Sequence, residues 1–350
     1  MTIDIGKALE FLEGYDGPQI KLMEVCGTHT SSIARSGVRG LISPRIKLIS
    51  GPGCPVCVTP AAYIDKCIEY AHKENHALFT FGDMVKVMGT DCSLSAAKGA
   101  GARVDLMYSP FEVLTKAERN PETVHVIAAV GFETTAPAYA LLAQEAKESG
   151  ISNVRLLTAL KRIMPALTWI CENERSVAGF ICPGHVSAIT GNAGYEKLCA
   201  EYGVPCAIAG FEPEHIIAAV HELVLMSTGD KPTRALNLYA GVVRKEGNVK
   251  AQALMDECFR EGGAVWRGLG MIEGSGLYLG DEYAGLDGGS LGLDEDRPLP
   301  DGCGCGDVIT GRINPDECPM FGGQCTPEKP YGPCMTSSEG ACGIWFMNRT

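Results

Sequence analysis

Eight short apolar runs constrain this chain more than any other feature. They are IKLMEV (20–25), RIKLIS (45–50), HALFTF (76–81), ARVDLMY (102–108), TVHVIAAV (123–130), VRLLTAL (154–160), VAGFIC (177–182) and PCAIAG (205–210). Each has the length of a strand, and helix-length segments stand between many of them, as at 59–75, 136–149, 186–201 and 213–227. Alternation of this kind predicts parallel sheets with helices on their faces. The runs are mostly apolar rather than alternating, as suits strands covered on both sides. The expected fold class is α/β, and 350 residues suffice for two ordinary domains and a smaller third. The tripeptide GFE occurs at 131–133 and again at 210–212, each time between such a run and a helix, which hints at two similar lobes.

The pattern changes near residue 262, where glycine becomes frequent. Residues 281–301 hold seven acidic side chains and one basic one, and read as an exposed linker or long loop. Beyond them cysteine, glycine and proline dominate. Such a segment builds little apolar core, so a metal cluster is the natural means of ordering it. The formal net charge of −12 argues against a nucleic-acid groove. No run of 18 apolar residues offers a membrane span, and MTIDIGKALEFLEGYDG lacks the basic and apolar stretches of a secretion signal. A cytosolic setting is therefore expected. There, sixteen cysteines speak for metal binding or redox chemistry rather than structural disulfides. Cys67, Cys92, Cys171, Cys199, Cys206 and Cys258 lie in regular segments and read as small buried residues.

The remaining cysteines fall in loops. GPGCPVCVT carries Cys54 and Cys57 in a Cys-x-x-Cys pair, open to reading as half a zinc site, a redox disulfide or part of an iron site. EVCGTHT puts Cys26 and His29 at the end of a strand, where an imidazole is expected to lower the thiol pKa. Three thiolates and this imidazole, if they converge, suit a soft or borderline ion such as Fe(II). GFETTAP sets Glu133, Thr134 and Thr135 at a helix start, either as simple caps or as a site for a small anion. ICPGHVSAI supplies Cys182, His185 and Ser187 at another strand end, without the oxyanion motif a Cys–His hydrolase needs. His72 and His76 are four apart, but His76 opens a strand, and His215 and His221 read as helix-face histidines. Neither a phosphate-binding G-x-x-x-x-G-K-[ST] loop nor a dinucleotide glycine fingerprint is present. No single-substrate active site can be read. In the tail, six cysteines within 48 residues exceed the four ligands of a zinc or a [4Fe–4S] site. Their spacing matches neither a zinc ribbon nor the ferredoxin run. Glycines and prolines around thiolates favour an iron–sulfur cluster, with zinc and plain disulfides or free thiols as the alternatives.

Together CGTHT, GPGCPVCVTP, GFETTAP, PGHVSAI and the tail ending CTPEKPYGPCMTSSEGAC resemble the HypD family of [NiFe]-hydrogenase maturation proteins over nearly the whole chain. The resemblance implies a cytosolic protein with two α/β lobes around a cleft and a C-terminal [4Fe–4S] domain. It implies assembly of an Fe(CN)2CO unit with a HypC-type chaperone and a HypE-type cyanide donor, for delivery to the hydrogenase large subunit. It marks Cys26, with His29 beside it, and the pair Cys54 and Cys57 as the site, with Cys26 and Cys57 as transient iron ligands. Glu133, Thr134, Thr135 and His185 belong to the same expectation. The tail resembles the site of ferredoxin–thioredoxin reductase, with Cys303, Cys318, Cys325 and Cys342 as cluster ligands and Cys305 and Cys334 as an adjacent redox pair. Sets that exchange Cys303 with Cys305, or Cys334 with Cys342, fit equally. The expected domains are residues 1–121 (completed by part of 230–280), 122–230, and a Cys-rich domain over 281–350. The rival reading is a cluster-linked thiol–disulfide oxidoreductase acting on protein partners.

Overall fold

A computed structural model describes residues 3–296, 299 and 301–349. The strands, in chain order, are β1 Ile20–Glu24, β2 Ile46–Ser50, β3 His76–Thr80, β4 Val104–Leu106, β5 Val124–Gly131, β6 Val154–Lys161, β7 Gly179–Pro183, β8 Cys206–Ala209, β9 Ala235–Asn237, β10 Phe259–Trp266 and β11 Gly270–Leu279. All eight apolar runs form strands. The helix-length segments hold helices at Ala61–His72, Ala136–Glu148 and Pro213–Ser227, while 186–201 divides into Gly184–Thr190 and Ala193–Tyr202 at Gly191, whose φ is +75°. Left-handed backbone there favours glycine and stops a helix.

Two sheets result. The first has the order β2-β1-β7-β8-β9 and is parallel throughout. The second has the order β10-β11-β6-β5-β3-β4, in which β4, β3, β5 and β6 are parallel and the hairpin β10–β11 joins antiparallel to β6. The chain divides accordingly into two compact units. One comprises Met1–Cys54, Ala166–Val249 and Pro300–Thr350, the other Pro55–Pro165 and Lys250–Leu299. This departs from the expected division at 121/122. β3 and β4 pair with β5 and β6, and β1 and β2 pair with β7 and β8, because hydrogen-bonded edges rather than chain order assign a strand to its sheet. Residues 250–299 complete the second sheet, not the first. The two GFE segments do fall one in each unit, after β5 and after β8.

Each unit has its own core. In the first, Leu22, Ile181 and Ala207 of the sheet pack with Leu12 and with Ile216, Val220 and Leu223 of the helix Pro213–Ser227. In the second, Leu78, Val126, Ala128 and Leu157 pack with Tyr63, Ile64 and Cys67 of the helix Ala61–His72. Burying one such side chain contributes about 1.5–3 kcal/mol. The acidic stretch after 281 is not an exposed linker along its length. The Gly288 N–H donates to the Leu156 carbonyl (2.9 Å), the Thr158 N–H donates to Ser290 Oγ (2.8 Å), and Leu286 and Ser290 are buried. The Cys-rich tail is part of the first unit. Gly311, at φ +73°, lies against Met23 and Ile49, where a Cβ would meet Met23 Cε at 2.6 Å. Arg312 Nε donates to Glu174 Oε1 at 2.9 Å.

Candidate functional site

Parallel strands bring their carboxyl ends to one edge, where loops of open α/β sheets collect ligands. In the first sheet those ends carry EVCGTHT after β1, GPGC after β2, CPGHVS at β7 and GFEPEH after β8.

Cys26 is the N-cap of the helix Gly27–Ser36. Burial pushes its thiol up to about 11. The main-chain N–H groups of His29 and Thr28 and the Thr28 hydroxyl act the other way, by hydrogen bonding to the sulfur. The expected lowering by an imidazole does not occur, since desolvation outweighs these donors and no imidazolium forms. His29 is fully buried, its pKa is held down at about 4, chiefly by burial, and its Nε2 lies 3.1 Å from the Gly210 carbonyl. Nε2 therefore carries the proton and donates it. Nδ1 has no hydrogen-bond partner among the described residues. The His29 ring packs on Phe211 (centroids 4.7 Å apart), and Phe211 also carries the exposed His185 on it at 4.3 Å.

Beneath Cys26 lies Glu24, 1% exposed. Burial raises its carboxyl to about 7. It accepts hydrogen bonds from Thr30 Oγ1 (2.6 Å) and the Cys26 N–H (3.4 Å). Two glycines let other segments approach this loop. A Cβ on Gly53 would stand 2.4 Å from the Cys26 nitrogen, and one on Gly27 would stand 2.6 Å from Glu339 Cβ in the tail. Cys54 and Cys57, both buried, are joined as a disulfide. Among the described residues no three His, Cys, Asp or Glu side chains are set to hold one metal ion.

In the tail all six cysteines line one cavity together with Met320, Phe321, Gly332 and Met335. All six are free thiols; Cys303 hydrogen-bonds with Cys305, and Cys334 with Cys305 and Cys342, and these thiol–thiol hydrogen bonds, with burial, hold Cys303 and Cys334 high in pKa. Cys318 and Cys325 instead accept main-chain hydrogen bonds, from the Gly304 N–H (3.3 Å) and the Tyr331 N–H (3.4 Å). N–H groups aimed at sulfur stabilise thiolates, as cluster ligation requires. A Cβ on Gly332 would come within 3.1 Å of Cys303 Sγ and 3.2 Å of Cys305 Sγ, so only glycine leaves that wall open to the sulfurs. The donor chemistry of this lining suits a group held by several thiolates, although among the described residues no set for a single metal ion is present.

In the second unit Glu133 is 4% exposed, and burial raises its pKa to about 7. Its Oε1 accepts from the Ile163 N–H at 2.9 Å, while Oε2 has no partner among the described residues. Thr135 occupies the N-cap position of the helix Ala136–Glu148 but makes no side-chain cap bond, and Thr134 is exposed.

Comparison with known proteins decides the family. The HypD family model, described as "Hydrogenase formation hypA family", matches residues 6–349. The hydrogenase maturation factor HypD of Rhodobacter capsulatus is 40% identical, with 94% of this chain and 89% of the relative covered. That of Escherichia coli is 37% identical over 94% and 89%, and that of Cupriavidus necator 37% over 95% and 91%.

The chain belongs to the HypD family.

Its role is accordingly in hydrogenase maturation, and such a role implies contact with other maturation proteins. Among the described residues no helix is long and apolar enough to cross a membrane. Within this HypD-family chain, motif reading reached Cys26, His29, His185 and the six tail cysteines, passed over Glu24, Phe211 and Tyr239, and read His215 only as a helix-face histidine. Phe211 packs edge-on to Tyr239 (6.4 Å), and Tyr239 packs on His215 (5.7 Å), whose Nδ1 is buried without a partner among the described residues. A carboxylate closing an apolar strand was the one readable signal for Glu24. An aromatic residue between Gly210 and Glu212 carries none.

Proposed function

We propose that this chain is the scaffold and redox centre on which the Fe(CN)2CO unit of [NiFe]-hydrogenase is assembled, together with a HypC-type chaperone and a HypE-type cyanide donor. The observation that carries the proposal is the setting of Cys26. Its sulfur is half-buried at the first turn of a helix, under two N–H groups and one hydroxyl, and is held as a thiol. A divalent iron substrate displaces the thiol proton, and the three donors then stabilise the thiolate that replaces it. His29, neutral with Nδ1 bare, is able to accept a hydrogen bond but brings no competing positive charge.

The disulfide Cys54–Cys57 follows Gly53, which touches the Cys26 backbone. Opening it takes two electrons and two protons and yields two thiols, one of which, Cys57, then serves as a second iron ligand. The tail cavity supports a [4Fe–4S] cluster on Cys303, Cys318, Cys325 and Cys342, with Cys305 and Cys334 as the adjacent thiol pair. That pair consists of free thiols joined by a hydrogen bond, and Cys318 and Cys325 accept N–H donors. When bound, such a cluster supplies one-electron chemistry. The residues themselves order the tail and keep the pair shielded from water.

The test is infrared spectroscopy of the anaerobically purified chain with its partners. The expected result is CN and CO bands on the wild-type protein and none on Cys26→Ser, which folds normally and retains the tail cluster. Serine keeps size and polarity, but its alkoxide is a hard ligand that rarely forms at neutral pH. A full set of bands on Cys26→Ser overturns Cys26 as the iron ligand. Disulfide reduction of partner proteins without any CN or CO bands on the wild type favours the thiol–disulfide oxidoreductase.

A further inference from the structure

Two imidazoles of the first unit pack on one phenyl ring. The ring centroid of Phe211 lies 4.7 Å from that of His29, at an interplanar angle of 37°, and 4.3 Å from that of His185, at 36°. Such separations lie at the short end of aromatic packing. The parallel register brings two of the three together. Pro183 of β7 pairs with Ala209 of β8, so His185 and Phe211 each stand two residues beyond a matched pair on neighbouring strands.

The main chain at Phe211 is fixed by the helix that Cys26 caps. His29 Nε2 donates to the Gly210 carbonyl at 3.1 Å, and Ser32 Oγ donates to the Phe211 carbonyl. Residues three apart share a helix face, so one face of the helix Gly27–Ser36 pins two successive carbonyls. Tyr239 meets the phenyl ring edge-on, with centroids 6.4 Å apart. Tyr239 is itself held, since its N–H donates to Asn237 Oδ1 at 2.9 Å and a Cβ on Gly184 or Gly210 would stand 3.0 Å from its ring. The two histidines differ in what holds them. His29 is buried and has its own bond to Gly210, whereas His185 is exposed and makes no hydrogen bond among the described residues. An imidazole on a methylene stem samples several rotamers in water, and ordering it costs entropy. A flat neighbour selects the rotamers that stack.

We propose that Phe211 is a positioning residue for hydrogenase maturation, and that it acts by orienting the imidazole of His185 at the strand-end edge that carries Cys26. The proposal rests on the reading of that edge as the site of assembly. Phe211 bears no group that exchanges a proton or binds iron, so its part is geometric. Leucine in its place keeps apolar volume but offers no flat face, and tyrosine keeps the face.

The test is a double-mutant cycle on the full chain, read as hydrogenase activity matured in cells whose own HypD gene is deleted. Phe211→Leu is expected to lower maturation about two- to tenfold, the worth of one aromatic pair, and Phe211→Tyr to restore it. His185→Ala should lower maturation at least as far, and Phe211→Leu should then cost nothing more in that background. NMR of the histidine-labelled protein reads the contact itself. The His185 ring protons should lie upfield in the wild type, in the ring current of Phe211, and return to their solvent positions in Phe211→Leu, while His29 keeps its proton on Nε2. Wild-type maturation by Phe211→Leu overturns the proposal, and so does a loss that persists in full on top of His185→Ala, because the phenyl ring then acts elsewhere. An unshifted His185 ring in the wild type overturns it without any variant, so a folding defect in Phe211→Leu does not rescue it. Normal maturation by Cys26→Ser sinks the reading of the edge instead, and the cycle at 211 and 185 still decides the part of Phe211.

Discussion

Glu24 closes an apolar strand with a buried carboxyl, and its raised pKa makes a prediction of definite sign. A carboxyl whose folded pKa (about 7) lies above its ordinary value of 4.5 is neutral in the fold while already ionised in the unfolded chain. It contributes its stability below the unfolded value and loses it as pH climbs through the folded one. Glu24→Gln keeps an acceptor for Thr30 and removes the ionisation. Urea unfolding of the variant at pH 5 and pH 8 should show a smaller loss of stability with rising pH than the wild type. An identical loss would mean that Glu24 is ionised in the fold or that Glu133 dominates the slope. At this scale motif spacing located Cys26 and His29 but misjudged their electrostatics. Proximity along the chain implied an imidazole lowering the thiol pKa, whereas desolvation, which no motif encodes, keeps the thiol protonated and the imidazole neutral.

Strands and helices were legible because their signals are local. β5 is apolar along its length but for His125, and the helix Pro213–Ser227 opens on proline with Glu214 in its first turn. The hairpin β10–β11 was not legible, since its glycines read as loop and its turn sets Gly268 and Gly270 at φ +85°. Two predictions belong here. Gly53→Ala places a methyl 2.4 Å from the Cys26 nitrogen, where backbone cannot yield cheaply. It should cost about 1–3 kcal/mol by overpacking and should abolish hydrogenase maturation, with circular dichroism unchanged; full maturation would show that the Cys26 loop tolerates displacement. Thr135→Val should leave the melting temperature almost unchanged, because the hydroxyl makes no cap bond. If Thr135 serves the assembly chemistry, a maturation assay falls at the same time, whereas a drop in melting temperature alone would restore the capping role.

At the scale of the molecule, nothing in the composition marks where the chain leaves one unit for the other. Residues 54–55 lie within the GPGCPVC motif, and 165–166 lie inside the helix Ile163–Asn173. Sheet membership is settled by strand pairing across long separations, which explains why the fold class could be read and the domain boundaries could not. The tail depends on more than its own contacts. Replacing Cys318 or Cys325 with Ala should remove about four irons per chain and the broad visible absorption. It should also speed amide exchange beyond residue 300, and an unchanged iron content would exclude both residues as ligands. Gly311 and Gly27 carry the same dependence into the first sheet, through Met23, Ile49 and Glu339. Pairing across such separations has a consequence for biosynthesis. A ribosome releases β1 and β2 long before it releases β7, their neighbour in the sheet, and longer still before the tail segment that packs on Met23. The nascent first unit must therefore wait, with an unpaired edge of β1 exposed, while the second unit's β3 to β6 are made. Only after the polypeptide passes residue 339 can the loop of Cys26 acquire its full surroundings, so the setting of this thiol is among the last parts of the first unit to be completed.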